Sequence, residues 1–385
     1  MKPATVEFLR NRFSDYYAGR IPKTAPLRVP EALSQREWGF MFFGTRSTPG
    51  MRRHLSFTTQ DELFSYLRSM TPAHVYYSTA YYEHPAAPVM DEKEWGGADL
   101  IFDLDADHIM RGPYDQMLSR VKEELLKLIG MLSDDCGIDP ERELSVVFSG
   151  GRGYHIHLSS IAMRSWKSAE RRELVDYVCG TGISPPLLLD GLDRPDRGWR
   201  LRLKKAISET LRVIGASLPD EQVRLLSTVR GVSPQSAGSF HKRLASLIRS
   251  IDKNDFSFCL HDRVMQAMFA DPESLLSHKI KEQAALADEP VTTDIRRLIR
   301  HPSSLHGGSG FRVTPLDVRE ICDFDPLIDA VVFSERPVKV ESSFAVEMPI
   351  LGKNYEIQKG MNTVPEALAI FLCSRGIAEY GGGIS

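Results

Sequence analysis

Cysteine is scarce and scattered. Cys136, Cys179, Cys259, Cys322 and Cys373 stand far apart in a chain of 385 residues, and no C-x-x-C pair occurs. That excludes the sequence signature of a zinc knuckle or an iron–sulfur cluster. An odd, widely spaced set suits reduced thiols in a cytosolic protein. No run of about 18 apolar residues is found, so no membrane-spanning helix is expected. The N-terminus also lacks the apolar stretch of a signal peptide. Excess charge of one sign is missing as well. The net charge is −3, so any contact with nucleic acid must rest on a local patch. Internal repeats and low-complexity tracts are absent. What remains is an ordinary globular composition in a chain long enough for one large domain or two smaller ones.

One stretch organises the rest: Gly97-Ala-Asp-Leu-Ile-Phe-Asp-Leu-Asp-Ala-Asp-His108. It reads as a buried strand that ends in acid. Side chains alternate faces along a strand, so Asp103 and Asp105 project from one side, roughly 6.5–7 Å apart at the backbone. Two unpaired carboxylates repel each other and are costly to desolvate. A bound Mg²⁺ or Mn²⁺ removes that cost, because hard cations prefer oxygen ligands. Asp99 and Asp107 fall on the same alternating face. Asp107 begins the exit loop and reads as a loop cap or supporting acid; Asp99 opens the strand and reads as solvated.

Elsewhere, Val6, Leu9, Phe13 and Tyr16/Tyr17 are spaced as an amphipathic helix over Thr5–Tyr17. Pro22, Pro26 and Pro30 make an extended connection. Arg36–Phe43 and His54–Phe57 read as neighbouring strands, with Arg46, Arg52 and Arg53 between them. A short helix over Asp61–Met70, capped by Thr58 or Thr59, leads to a strand at His74–Ser78. Tyr114–Leu132 is an amphipathic helix, and Leu144–Leu158 is strand, glycine turn, strand. From Arg164 to about Ala287 the chain turns helix-rich. Its basic stretch, Arg194, Arg197, Arg200, Arg202, Lys204 and Lys205, reads as a solvated helix face. Strands are expected around Val331–Phe333 and Val338–Val340, and a helix over Ala367–Glu379. Strands mixed with helices, without strict βαβ alternation, predict an α+β fold. Its core comes in two parts, 1–163 and 288–385, with a helix-rich insertion at 164–287.

Two further motifs carry chemistry. In Ser149-Gly-Gly-Arg-Gly-Tyr-His155 the glycines free the backbone to turn toward a ligand. Ser149, Arg152 and His155 add donors that suit a triphosphate; read alone, the motif equally fits a plain glycine hairpin turn with a surface arginine. His157 shares a face with His155 and reads as polar core. Later, Arg300 and His306 flank an apolar stretch ahead of Gly307-Gly308-Ser309-Gly310, which suits phosphate again. Arg296 and Arg297 read as solvated surface. Asp288 and Asp294 are both candidates for a third carboxylate, and spacing does not choose between them.

Four landmarks in this order make the chain recognisable: Arg36-Glu-Trp-Gly-Phe40, Gly97–Asp107, Ser149–His155, and Val291-Thr-Thr-Asp through His306. The sequence resembles the small, catalytic subunit of the archaeal/eukaryotic-type DNA primase, in its archaeal form. The resemblance implies a primase-type catalytic core of mixed sheets flanked by helices. It implies two Mg²⁺ or Mn²⁺ ions on Asp103, Asp105 and Asp288, the last in preference to Asp294. Ser149, Arg152, His155, Arg300 and His306 match nucleotide-phosphate positions, and Arg53 matches an arginine that points at the nucleotide. The implied activity is nucleotidyl transfer of the DNA-directed RNA polymerase kind. It makes short RNA or mixed RNA/DNA primers on single-stranded DNA from nucleoside triphosphates, for DNA replication. The implied partner is a primase large subunit carrying an iron–sulfur cluster, and the implied location is the cytoplasm, at the nucleoid. Two departures stand out. No cysteine lies between His108 and Leu132, so no structural zinc is predicted. Gly151 stands where the eukaryotic pattern has the first of two arginines. Rival readings are a gap-filling repair polymerase of the same superfamily and a catalytically silent assembly subunit. A D-x-D glycosyltransferase is weaker, since it explains neither the Ser-Gly turn nor the Arg300/His306 loop.

Overall fold

Residues 1–21, 25–44, 50–190 and 195–383 are described by the computed structural model. Pro22, Arg46 and Arg194, named above, lie outside the described residues. The chain divides into two units. Residues 1–126, 139–173 and 287–385 form one, and 127–138 with 174–286 form the other.

In the first unit, the apolar spacing near the N-terminus becomes the helix Pro3–Tyr17, which buries Phe8, Leu9, Phe13, Tyr16 and Tyr17. Proline suits its first turn, where the N–H has no helical partner anyway. A four-stranded antiparallel sheet follows, in the order Arg52–Leu55, Trp38–Met41, His74–Ser78, Leu298–Arg300. The helix Gln60–Met70 starts at Thr59 rather than Thr58. The Thr59 hydroxyl accepts the Glu62 N–H while Glu62 reaches back to the Thr59 N–H, a reciprocal cap.

The second antiparallel sheet runs Thr314–Leu316, Leu144–Phe148, Gly153–Leu158, Leu100–Asp105. Its register sets Asp103 opposite His155 and Asp105 opposite Gly153. Leu100, Phe102 and Leu104 are buried on one face, which turns the two acids to the other. The sequence pattern therefore fixes which way the carboxylates point.

One strand-entry residue departs from expectation. Asp99 is buried, not solvated. Its carboxylate accepts from the Arg36 guanidinium at 2.7 Å and from the Tyr81 hydroxyl at 2.7 Å. Arg36 also donates to the Ser78 and Thr79 carbonyls at 3.0 and 2.7 Å. The Arg36-Glu37 landmark is thus an internal pin between the sheets. Its full pairing is what makes two buried charges tolerable.

Toward the C-terminus, Pro337–Ser342 pairs with Gly360–Pro365 and Ala378–Gly383. The expected helix to Glu379 stops at Ser374, because Gly376 takes φ +70° and the chain returns as a strand. Glycine there ends the helix without steric cost. No strand forms at Val331–Phe333; the Val331 N–H instead closes a turn onto Ile328 behind the short helix Pro326–Asp329.

The helix-rich unit takes in 127–138, and its main segment starts at 174 rather than the expected 164. Residues 164–173 stay with the first unit, because Arg171 donates to the Ala98 and Asp99 carbonyls at 2.7 and 3.0 Å. The helical unit packs Leu203, Ile207, Leu211, Phe240, Leu244 and Met265 in its own core. Among the described residues its basic stretch is exposed only at Arg197 and Lys205. Arg200 and Lys204 are buried and tied to Asp196 at 3.0 and 2.6 Å, and Arg202 is tied to Asp135 at 2.9 Å. Among the described residues no helix is long and apolar enough to cross a membrane.

Candidate active site

Asp103, Asp105, Ser149, Arg152, His155, Arg300 and His306 all line one cleft of about 520 Å³. Asp288 stands beside it. Its N–H donates to the Asp103 carbonyl at 2.9 Å, which places Asp288, not Asp294, next to the acidic strand. Asp294 instead ends a short helix and accepts the Arg296 N–H. Arg53 is not among the lining residues. Its guanidinium is held by the buried Glu37 carboxylate at 3.0 and 3.3 Å.

The acids repel one another. Burial first, then the charges of Asp105 and Asp288, push the Asp103 carboxyl up to about 7. Hard oxygen donors that carry mutual repulsion fit a hard divalent cation. Among the described residues, no three Asp, Glu, His or Cys side chains are gathered in a ready-made metal cage. His155 Nε2 lies 3.6 Å from Asp103 Oδ1, too long for a hydrogen bond. Its Nδ1 is buried without a partner. Burial, then His157 and Arg300, hold the His155 ring well below its ordinary pKa, so it is neutral. His157 is buried in the same sheet and pushed down to about 4, chiefly by burial, in keeping with a polar-core role.

At its exit the strand passes into the one-turn helix Ala106–Ile109. Asp105 caps it by accepting the Asp107 N–H at 3.0 Å. Asp107 itself is ion-paired with Arg152. The cap is therefore Asp105, and Asp107 is the ion-pair partner of Arg152.

The glycine turn is shaped by contact. Ser149 Oγ accepts the Gly151 and Gly153 N–H groups, each at 3.3 Å, so this serine orders the turn. Gly150 has φ +74°, and a Cβ there would stand 2.7 Å from the His306 Cβ. The two phosphate-type motifs thus lie against each other, and only glycine permits the approach. His306 Nδ1 accepts the Gly308 N–H at 3.1 Å. Burial, then Arg300, hold His306 well below its usual pKa. The neutral ring then carries its hydrogen on Nε2, the atom facing Gly151, an assignment made from these hydrogen bonds. Arg300 is aimed by its neighbours. It donates to His74 Nδ1 at 2.8 Å and its guanidinium lies over the Tyr76 ring at 5.1 Å. Burial, with Arg300 alongside, pushes His74 down to about 3, which keeps it an acceptor.

Sequence reading missed four lining residues: Tyr76, Arg297, Ser374 and Arg375. Arg297 was expected at the solvated surface; it is half-buried and draws the Asp103 pKa downward against the neighbouring acids. Arg296 is exposed as expected, paired with Asp91 at 3.3 Å. Gly376, a helix-ending signal one residue on, pointed to Arg375 as a helix terminus rather than an interior residue. Among the described residues, Arg297, Arg300 and Arg375 have no carboxylate ion pair. Such a cleft, acids at one side and unpaired guanidinium groups around it, suits a polyanion delivered with cations.

Comparison with known proteins agrees with this chemistry. A family model described as DNA primase small subunit matches residues 102–318. A Methanoregula boonei protein named DNA primase small subunit PriS is 53% identical over 98% of this chain and all of its own length. The protein of that name from Methanocorpusculum labreanum is 54% identical over the full length of both chains. The one from Methanosphaerula palustris is 49% identical, again over both full lengths.

Proposed function

Because this chain belongs to the family of DNA primase small subunits, nucleotidyltransferases that are the catalytic subunits of replication primases, we propose that it joins nucleotides into short RNA or mixed RNA/DNA primers on single-stranded DNA. One observation carries the reading. Asp288 arrives from the far side of the helical unit in sequence to stand against Asp103, on a cleft shared with Ser149, Arg152, His155, Arg300 and His306.

Two divalent cations, Mg²⁺ or Mn²⁺, held by Asp103, Asp105 and Asp288 would activate the attacking 3′-hydroxyl and neutralise charge on the triphosphate and leaving pyrophosphate. The remaining residues position. Arg300, fixed by His74 and Tyr76, offers a planar donor to the phosphates. His306 donates through Nε2. Arg152 exchanges Asp107 for a phosphate oxygen. Donors preset in this way need no reorganisation when charge moves toward the leaving group. The partner that completes initiation and template binding is a primase large subunit.

The test offers unprimed single-stranded template, nucleoside triphosphates and Mn²⁺, with the large subunit present. Wild type should make primers, and Asp103→Ala with Asp105→Ala should make none while its circular-dichroism melt is kept. Retained synthesis by that variant would remove the acid assignment. Product only from primed gaps would move the chain to repair synthesis.

A further inference from the structure

Ser374 and Arg375 close the apolar helix Glu366–Ser374 and line the cleft. The sequence motifs include neither. The Arg375 guanidinium lies over the Tyr114 ring at 4.6 Å and the Phe371 ring at 5.0 Å. Arg375 Nε and Ser374 Oγ are both buried with no hydrogen-bond partner. Their placement is well fixed. The Arg375 N–H donates to the Phe371 carbonyl at 3.1 Å, and Gly376 then turns the chain away. Tyr114, which carries the guanidinium on its face, donates its hydroxyl to the Gly151 carbonyl. One tyrosine therefore ties Arg375 to the glycine turn that also touches His306.

A cation at a helix C-terminus favours the macrodipole. That accounts for a positive charge here, but not for two buried donors left unpartnered on a cleft wall, an arrangement that folded proteins avoid. An anion in the cleft would give the Arg375 guanidinium the counter-charge that no described carboxylate supplies. Arg375 stands with His306 and the glycine turn on the cleft wall, the part of the cleft that reads as a phosphate cradle.

We propose that Arg375, with Ser374 beside it, anchors the nucleotide's phosphate chain beyond its first phosphate, next to His306 and the glycine turn. The proposal rests on the phosphate-binding reading of the cleft given above.

Calorimetry on the full chain with Mn²⁺ tests it, using adenosine triphosphate, inorganic tripolyphosphate and adenosine monophosphate as probes. Arg375→Ala should weaken the first two about tenfold and leave the monophosphate unchanged, as expected for loss of a charge-assisted contact. Arg375→Lys should recover most of the loss. In primer synthesis KM for the triphosphate should rise about tenfold while kcat stays within about twofold. Triphosphate affinity equal to wild type in Arg375→Ala, with a loss in Arg300→Ala, overturns the anchor and leaves the phosphate cleft standing. Equal weakening of all three probes makes Arg375 a prop for Tyr114 and also overturns it. If wild type binds none of the probes, the cleft reading falls and takes the anchor with it. Should Arg375→Ala fail to fold, Arg375→Gln keeps the contact with Tyr114 while removing charge, and the same comparison decides.

Discussion

The helical unit packs Arg197, Arg200, Arg202, Lys204 and Lys205 into one short run, while the cleft collects Arg152, Arg297, Arg300 and Arg375 from three distant parts of the chain. In the run, Arg200, Arg202 and Lys204 are spoken for by Asp196 and Asp135. In the cleft only Arg152 has a carboxylate partner among the described residues. Density of charge along a sequence therefore says little about ligand binding. What sets Arg297, Arg300 and Arg375 apart from the scaffold cations is that no described carboxylate supplies their counter-charge; Arg152, held by Asp107, lies between the two kinds. The pin between the two sheets teaches the same lesson: Arg36 and Asp99 are buried, mutually satisfied and turned away from any ligand.

The comparison breaks most visibly at the acids. Asp103→Ala with Asp105→Ala should lower nucleotide incorporation by about 10³-fold or more, read by primer synthesis at matched thermal melts. Arg36→Met should do the reverse. It strands the buried Asp99 charge and costs about 3–5 kcal/mol of stability, measured by urea unfolding, while the cleft chemistry of the remaining folded fraction persists. A folded, fully stable Arg36→Met protein would show that the pin is ornamental. Arg300→Ala should raise KM for nucleoside triphosphate by about 10–100-fold, the worth of a charge-assisted pair, with little change in melting temperature.

A smaller effect follows from Asp103. Its folded-state carboxyl titrates at about 7, above the ordinary 3.8. Between those values the folded protein keeps a proton that the unfolded chain releases. This group's contribution to stability therefore falls as pH rises through that window, and stays lost above it. Mn²⁺ relieves the repulsion only where the carboxylates are ionised, so it should raise the melting temperature more at about pH 8 than at about pH 5.5. An equal rise at both would uncouple the cation from these acids. The smallest change expected is at the solvated end of the basic run. Lys205→Ala should move stability by no more than about 0.5 kcal/mol and leave nucleotide affinity as it was.

Local pattern made part of this readable beforehand. The alternation Leu100, Phe102, Leu104 against Asp103, Asp105 set both the strand and the direction of its acids. The glycines of the Ser149 turn announced a backbone that must bend closely. The mixed α+β character also followed from the run of elements. Pairings between distant residues did not. Asp99 looked solvated because its partner Arg36 lies 63 positions earlier. Spacing could not rank Asp288 over Asp294, since the deciding contact is a backbone bond to Asp103. The resemblance gave Arg53 a ligand-facing position, while its partner in the fold, Glu37, lies 16 positions earlier. Arg375 escaped notice because the helix bearing it was expected to run on to Glu379.

The sheet that displays Asp103 gains its edge strand from Thr314–Leu316, and the cleft borrows walls from residues 297–308 and 374–375. The whole helical unit is translated between those pieces and the acidic strand. A nascent chain on the ribosome accordingly carries its acids for most of synthesis with no pocket around them. The wall at 374–375 is the last of these pieces to leave the ribosome, after the acidic strand, the glycine turn and residues 297–308.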